Sequence, residues 1–390
     1  MKITKQKIMK NLLFISLLVI STLSLTSCTP KVELNKRGLI HAIGIDYKKN
    51  MFDISFQMFN ASSSSPSEGP TAPSNDIIIN SKGKTIVDAM KKSCLKQDQK
   101  IYYRLTNVII LGKSIIKNKD LYTETINFLN LVYMSSPKIY IIVSEHNASE
   151  IINAKTEQKL ASNFIQNMLK NAEKQSYIQK TYLLNLNTSS NSIVHSITLP
   201  TISVQKIKDN KDELTIKNIE VITDNQFKGE IPTDEMIYHK LLDKKKSQIS
   251  FNLNSKKYGL CNFNVIKKNI KIKSSIIDDK PHFDIDVKLI SSLLENSKGY
   301  NMSNLSEKQL TELEILQNGI IKYRISHLLN KALKKYKSDI FYFTNDLYRN
   351  HYEFWNKHKN NWSEVISKST FSLNVQNHIY RSAIEKSKNY

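Results

Sequence analysis

The chain has 390 residues, of which 57 are Lys or Arg and 35 are Asp or Glu, for a formal net charge of +22, and 40% of it is hydrophobic. That length leaves room for two or three domains of ordinary size, and the apolar content supports packed cores. The three cysteines are too few and too far apart to staple a small fold, so stability must come from cores. The excess charge favours anionic partners: acidic phospholipid, an anionic polymer or an acidic protein face. A composition heavy in Lys, Ile and Asn, as an A/T-rich genome produces, accounts for the same charge without a partner.

The first 27 residues read as a lipoprotein signal peptide. Lys2, Lys5, Lys7 and Lys10 make a positive start with no acidic residue, and "LLFISLLVISTLSL" at 12–25 is a short apolar core. Such a core is below the roughly 20 residues that a spanning helix needs and fits a signal segment. It ends in Leu25, Thr26, Ser27 and Cys28: apolar, small, small, Cys. This is the bacterial lipobox, whose chemistry needs the Cys28 thiol. Cys28 is therefore expected to be the first mature residue, an S-diacylglyceryl and N-palmitoyl cysteine. Two or more acyl chains hold a protein at a bilayer far better than one. No later stretch approaches 18 uninterrupted apolar residues. Export also argues against a nucleic-acid partner.

The elements follow in order. Residues 39–47 and 51–59 predict two strands turned at Lys48, Lys49 and Asn50; the second carries Phe52, Ile54, Phe56 and Met58 on one face. "NASSSSPSEGPTAPSN", 60–75, predicts a mobile surface loop. "DIIIN" is a strand, and "GKTIVDAMKKSCL" a helix with Thr85 and Asp88 at capping-box spacing. "NVIILG" and "PKIYIIVSE" are strands; "LYTETINFLNLVY", "ASEIINA" and "ASNFIQNMLKNAEKQ" are helices. "NLNTSSNS" at 185–192 and "KDNKDE" at 208–213 read as polar breaks. Between them "ITLPTISVQKI" is a strand with Pro200 at a bend or edge. "LTIKNIEVIT", "SFNLNSKKYGLCNFNVIKKNIKIKSSI" and "PHFDIDVKLISSLLE" are β-rich. Residues 304–339 hold the clearest helix: Ser306 and Gln309 make a capping box. Ile321, Ile325, Leu328, Leu329, Ala332 and Leu333 share one face. "FSLNVQNHIY" is a final strand. The reading is a mixed α/β (α+β) chain of small β-sheets flanked by helices.

Several chemical motifs fall short. "NVIILGKS" has Gly112, Lys113 and Ser114 of a phosphate loop, but Asn107 replaces the first glycine and four apolar residues fill the loop. "GKT" at 83–85 has Ile78 where its first glycine belongs. The nine histidines are scattered, no Cys pair has metal spacing, and no G-x-S-x-G is present. Asp284 and Asp286 share a strand face beside lysines, where charge balance explains them. No catalytic, metal or cofactor residue is expected. Aromatic residues crowd 336–362, where both tryptophans lie. Trp355 is expected in the core. Trp362, with Arg349, is expected near a partner surface, because Trp, Tyr and Arg concentrate at interfaces.

These segments, in order, resemble the spore germination receptor C-subunit lipoproteins, the Ger(x)C family. The resemblance rests on the lipobox, "GLIHAIGIDYKKNMFDISFQMFN", "SKGKTIVDAMKKSC", "KIYYRLTNVIILGKSII" and "LNKALKKYKSDIFYFTNDLYRNHYEFWNKHKNNWSEVI". The last, with Lys337, Ser338, Asp339, Tyr348, Arg349, Trp355 and Trp362, is the most specific. Two features depart: the Trp-Asp common near the mature start is absent from "VELNKR", and Asn218 replaces the glycine of a "G-x-A-V-F" strand. The resemblance implies about three compact α+β domains, here an N-terminal α/β region at 28–204 and a C-terminal α+β domain at 214–390. It implies a non-enzymatic subunit of a nutrient-germinant receptor, lipid-anchored at the outer face of the spore inner membrane. Its partners would be A-type and B-type receptor subunits, with no small-molecule ligand of its own. The alternative is a solute-binding lipoprotein of an ABC importer, which would need two parallel-sheet lobes. A third class, an exported hydrolase, has no constellation to support it.

Overall fold

Strand-period sequence on either side of Lys49 and Asn50 folds back through φ values of 50° and 58° at those two residues, the geometry that two-residue hairpins favour. The computed structural model describes residues 14–16, 37–60, 76–133, 138–156, 161–190, 193–207, 211–299 and 305–380. Leu25 to Cys28 and the expected loop at 61–75 lie outside them. Strands β1 (Arg37–Lys48), β2 (Met51–Asn60) and β3 (Asp76–Gly83) form an antiparallel edge. The short β4 (Lys100–Tyr102) pairs with the start of β1. Then β5 (Val108–Leu111), β6 (Tyr140–Ser144) and β7 (Ser196–Lys206) add in parallel, each to the one before, with β5 beside β1. Finally β8 (Asp212–Thr223) and β9 (Gln226–Pro232) return antiparallel, turning at Asp224 and Asn225. The nine-stranded sheet runs β3-β2-β1-β5-β6-β7-β8-β9, with β4 off that path.

Six helices cover this sheet: α1 (Ile86–Ser93), α2 (Lys113–Lys117), α3 (Lys119–Tyr133), α4 (Ala148–Ile152), α5 (Ala161–Lys174) and α6 (Leu183–Ser190). Alternation in β5 divides them. Ile109 and Leu111 pack with α1, α2, α3 and α6; Val108 and Ile110 pack with α4 and α5. Covering both faces explains why the polar side of β2 is not solvated. Ser55 and Gln57 are buried, and Gln57 accepts from the Ser162 amide at the start of α5. The capping at Thr85 is as predicted, its hydroxyl accepting from the Asp88 amide.

The second sheet is β10 (Ser250–Ser255), β11 (Gly259–Ile277), β12 (Lys280–Asn296) and β13 (Thr370–Ile379). The first three pair antiparallel and β13 lies parallel to β12. Asp278 and Asp279 make the β11–β12 turn with φ of 51° and 56°. Asp284 and Asp286 face Lys273 and Lys271 in register, the charge balance expected of them. Before the sheet comes α7 (Met236–Leu242) and within it α8 (Glu307–Leu329), which continues as a π-helical turn, Asn330–Lys335. The Ser306–Gln309 capping box forms in both directions, and all six predicted apolar positions from Ile321 to Leu333 are buried. The architecture is the expected α+β, and it is not a pair of parallel-sheet lobes.

Three local readings change. Pro200 sits mid-strand in β7, an interior strand and not an edge, paired with Ile219; the ladder shifts register just beyond it, between Thr201 and Ile202. The polar stretch from Asn185 to Ser190 continues α6, because Leu183 and Leu186 anchor that helix on the sheet. The segment 344–367 is three short helices, α9 (Thr344–Asn350), α10 (Tyr352–His358) and α11 (Trp362–Ser367). Between the two tryptophans a 3₁₀ turn at Lys359–Asn361, ending in Asn361 at φ −128° and ψ 34°, interrupts the helical geometry, so they do not share one face of a continuous helix.

Candidate partner-binding site

Tyr336 to Trp362 crosses from the end of the long helix onto the first sheet, and two polar clusters hold it there. The first starts at Ser338 and Asp339, both buried. The Asp339 amide donates to Ser196 Oγ at 3.1 Å. Thr223 Oγ1 donates to Ser338 Oγ at 2.7 Å, and Ser338 Oγ donates to the Tyr336 carbonyl at 2.8 Å. Because the single Thr223 proton is used in that bond, Ser196 Oγ donates to Thr223 across their 2.9 Å contact. One directed chain thus ties the segment to β7 and β8. The Asp339 carboxylate faces inward. Oδ1 accepts from the Phe343 amide at 3.1 Å, and Oδ2 from the Thr344 amide at 2.7 Å and hydroxyl at 2.6 Å. Burial pushes the carboxyl up and these donors pull it back; with only donors around it, the ionised form is the one the site accommodates.

The second cluster explains the phosphate-loop likeness. Gly112 is needed for close approach: a Cβ there would lie 2.1 Å from Asp46 Oδ1. Asp46 in turn accepts from the Ala148 and Ser149 amides at 2.8 and 3.2 Å. Lys113 turns to Glu220 and Glu230, 2.5 and 2.6 Å from its Nζ. Thr201 donates to Glu220 at 2.7 Å, and Asn218, the residue that departs from the family pattern, donates to Glu230 at 2.9 Å. Burial raises the Glu220 carboxyl while the ammonium and hydroxyl draw it down. The two carboxylates hold Lys113 charged against its own burial. With an ammonium and a hydroxyl both donating to Glu220, the carboxylate is the form this arrangement matches. Gly229 next door leaves room for the Tyr336 ring, whose hydroxyl donates to the Glu230 carbonyl at 2.9 Å.

Between α7 and the Phe341–Arg349 stretch opens a cleft of about 340 Å³, lined by Gln179, His239, Asp243, Phe341, Tyr342, Asp346 and Arg349 among others. His239 stacks on Phe341 with ring centres 5.2 Å apart, and its Nε2 lies 2.9 Å from the Ile340 carbonyl. Nε2 therefore carries the proton, and buried Nδ1 has no partner among the described residues. Burial pushes the imidazole down to about 4. Among the described residues no hydroxyl or thiol is hydrogen-bonded to Nδ1. The unfolded ring, with its ordinary value of 6.5, takes a proton that the folded ring refuses until about pH 4. Stability from this residue is thus complete above about pH 6.5 and falls by about 3 kcal/mol as pH drops to 4. Thermal melts at pH 7 and 4.5 check this; His239→Gln should narrow the difference between them.

The sequence-predicted site residues part company here. Arg349 stands on the rim, 69% exposed at its side chain, with a long 3.9 Å contact to Asp346. Trp362 is only 7% exposed, and its Nε1 donates to Thr344 Oγ1 at 2.8 Å. Trp355, expected in the core, is half-buried and packs edge-on against Tyr348 at 4.9 Å. The broken helix reverses the two tryptophans: Trp362 faces the Asp339 cluster, while Trp355 joins Tyr348 and exposed Tyr352. Sequence reasoning missed Ser196, Thr201, Thr223 and Glu220, which carry no local signal. Among the described residues no group of three His, Cys, Asp or Glu is placed to hold a metal, and no helix is long and apolar enough to cross a membrane.

Fold and site together define a two-sheet α+β protein whose C-terminal aromatic segment is pinned by polar contacts to its first sheet. Two family models match in order: the spore germination protein N-terminal domain over residues 30–204, and the spore germination B3/GerAC-like C-terminal domain over 217–383. The chain belongs to this spore germination receptor C-subunit family, a family of germination proteins rather than enzymes. Among its relatives are spore germination protein B3 of Bacillus subtilis, 21% identical over 92% of this chain and 95% of that one. Spore germination protein KC of the same organism is also 21% identical, over 94% and 95%. The crystal structure of the GerBC protein shares the fold, with a TM-score of 0.57 and 18% identity over 86% of this chain and 96% of that one.

Proposed function

We propose that the chain is a lipid-anchored, non-enzymatic subunit of a nutrient-germinant receptor, acting through protein contacts at the outer face of the spore inner membrane. The observation that carries this reading is the ordered match of both family models along almost the whole chain. Leu25, Thr26, Ser27 and Cys28 supply the anchor, with diacylglyceryl on the Cys28 sulfur and palmitate on its amine. The modules are 28–204 and 214–390, whose adjoining strands β7 and β8 pair within one sheet. The partners are A-type and B-type receptor subunits. Arg349, Tyr352 and Trp355 form the contact surface, since an exposed tyrosine and a half-buried tryptophan beside an exposed arginine make the composition of an interface hot spot. Trp362 serves that surface from beneath by holding Thr344 and thus α9.

Cys28→Ala should remain an unprocessed, unacylated precursor. Intact-mass measurement of the chain from membranes checks this. A variant that is cleaved and retained like the natural protein would end the lipid-anchor reading.

A further inference from the structure

The groove between the end of α5 and the turn after α7 is strongly basic. It encloses about 650 Å³ and is lined by Lys170, Lys174, Lys180, Lys240, Lys245 and Lys246 against only two carboxylates, Glu173 and Asp243. Glu173 is engaged by Lys180 at 2.5 Å. Asp243 lies 3.7 Å from Lys240, whose side chain is only 7% exposed. Behind it, Lys268 donates to the main-chain carbonyls of Lys240 and Asp243, both at 2.5 Å, which brings a second ammonium into the field of the same Asp243 carboxylate. The walls are fixed to each other. The Gln248 amide donates to the Lys174 carbonyl at 3.2 Å, and Ser176 Oγ to the Gln248 carbonyl at 2.6 Å. The Ser247 hydroxyl in the same lining is buried, with no hydrogen-bond partner among the described residues.

We infer that this groove binds a phosphate-class anion, with Lys240 and the Ser247 hydroxyl at its floor and Lys174, Lys245 and Lys246 at its mouth. A buried ammonium with one loose, shared counter-charge gains most from a further anion. Burial pushes Lys240 below its ordinary value, in keeping with that deficit. A rigid wall lets the lysines be held in place before the ligand arrives, which lowers the ordering cost of binding. The receptor role is not needed for this inference.

The test uses the full chain in neutral detergent, titrated with pyrophosphate. The same chain is also tested against vesicles of phosphatidylglycerol or phosphatidylcholine. Pyrophosphate should raise the melting temperature, and the effect should fade as salt rises. Lys245→Glu with Lys246→Glu should weaken binding at least tenfold while the chain melts normally without ligand. Lys271→Glu with Lys273→Glu, an equal charge change on the second sheet, should bind as the natural chain does. Binding of pyrophosphate alone points to a free anion, and groove-dependent binding of phosphatidylglycerol alone to a lipid headgroup; either supports the site. Equal losses in both double variants would reduce it to general charge and overturn it. So would the absence of binding to either probe at low salt.

Discussion

Replacing Asp339 with asparagine should lower the stability of the folded chain by about 3 kcal/mol, because a buried acceptor surrounded only by donors is exchanged for a group half of which is itself a donor. The amide would turn its NH₂ toward the Thr344 amide and hydroxyl, or toward the Phe343 amide, whichever oxygen it replaced. With the NH₂ in the Oδ2 place, Thr344 would lose its acceptor and with it the orientation that receives the Trp362 indole; in the Oδ1 place, the Phe343 amide would lose its own. Ser338→Ala, which removes one relay hydroxyl and leaves the carboxylate alone, should cost about 1 kcal/mol. Urea unfolding of the two variants measures both. A loss below about 1 kcal/mol in Asp339→Asn would mean that the carboxylate does not hold the segment.

Lys113→Met should cost a comparable amount, about 3 to 5 kcal/mol, by leaving Glu220 buried without its ammonium. Glu220 is inaccessible to solvent, and one of its oxygens already lacks a partner among the described residues. The diagnostic is the double variant. Lys113→Met with Glu220→Gln should be more stable than Lys113→Met alone, since the second change removes the stranded charge. Additive losses would show that Lys113 acts through packing, for instance against the Phe227 ring 5.6 Å away, and not through the pair.

How much of this was legible in the sequence depends on the range of the interaction. The long helix could be read because its apolar stripe recurs from Ile321 to Leu333 and its start carries its own cap. The turn at Lys49–Asn50 could be read because the residue types that tolerate positive φ mark it locally. Helix α7 could not, since every residue from Met236 to Leu242 is buried and no amphipathic period remains. The site was legible only in part. Ser338 and Asp339 stood out in the aromatic tail, but their partners Ser196 and Thr223 lie 143 and 115 residues away. Serines and threonines in strands look alike whether solvated or buried. The roles expected of Trp355 and Trp362 rested on residue type alone, and the 3₁₀ turn at Lys359–Asn361 between them decides which way each side chain faces.

The central claim is that the chain works as an assembled receptor subunit. Isolating it from detergent-solubilised spore membranes, natural or carrying Arg349→Glu, tests that most directly. The account predicts that the natural chain brings the A-type and B-type subunits with it. Arg349→Glu should melt at the natural temperature and bring markedly less of both, since rim charges set association while exposed positions contribute little to folding. A natural chain that emerges from the membranes without either subunit would contradict the account.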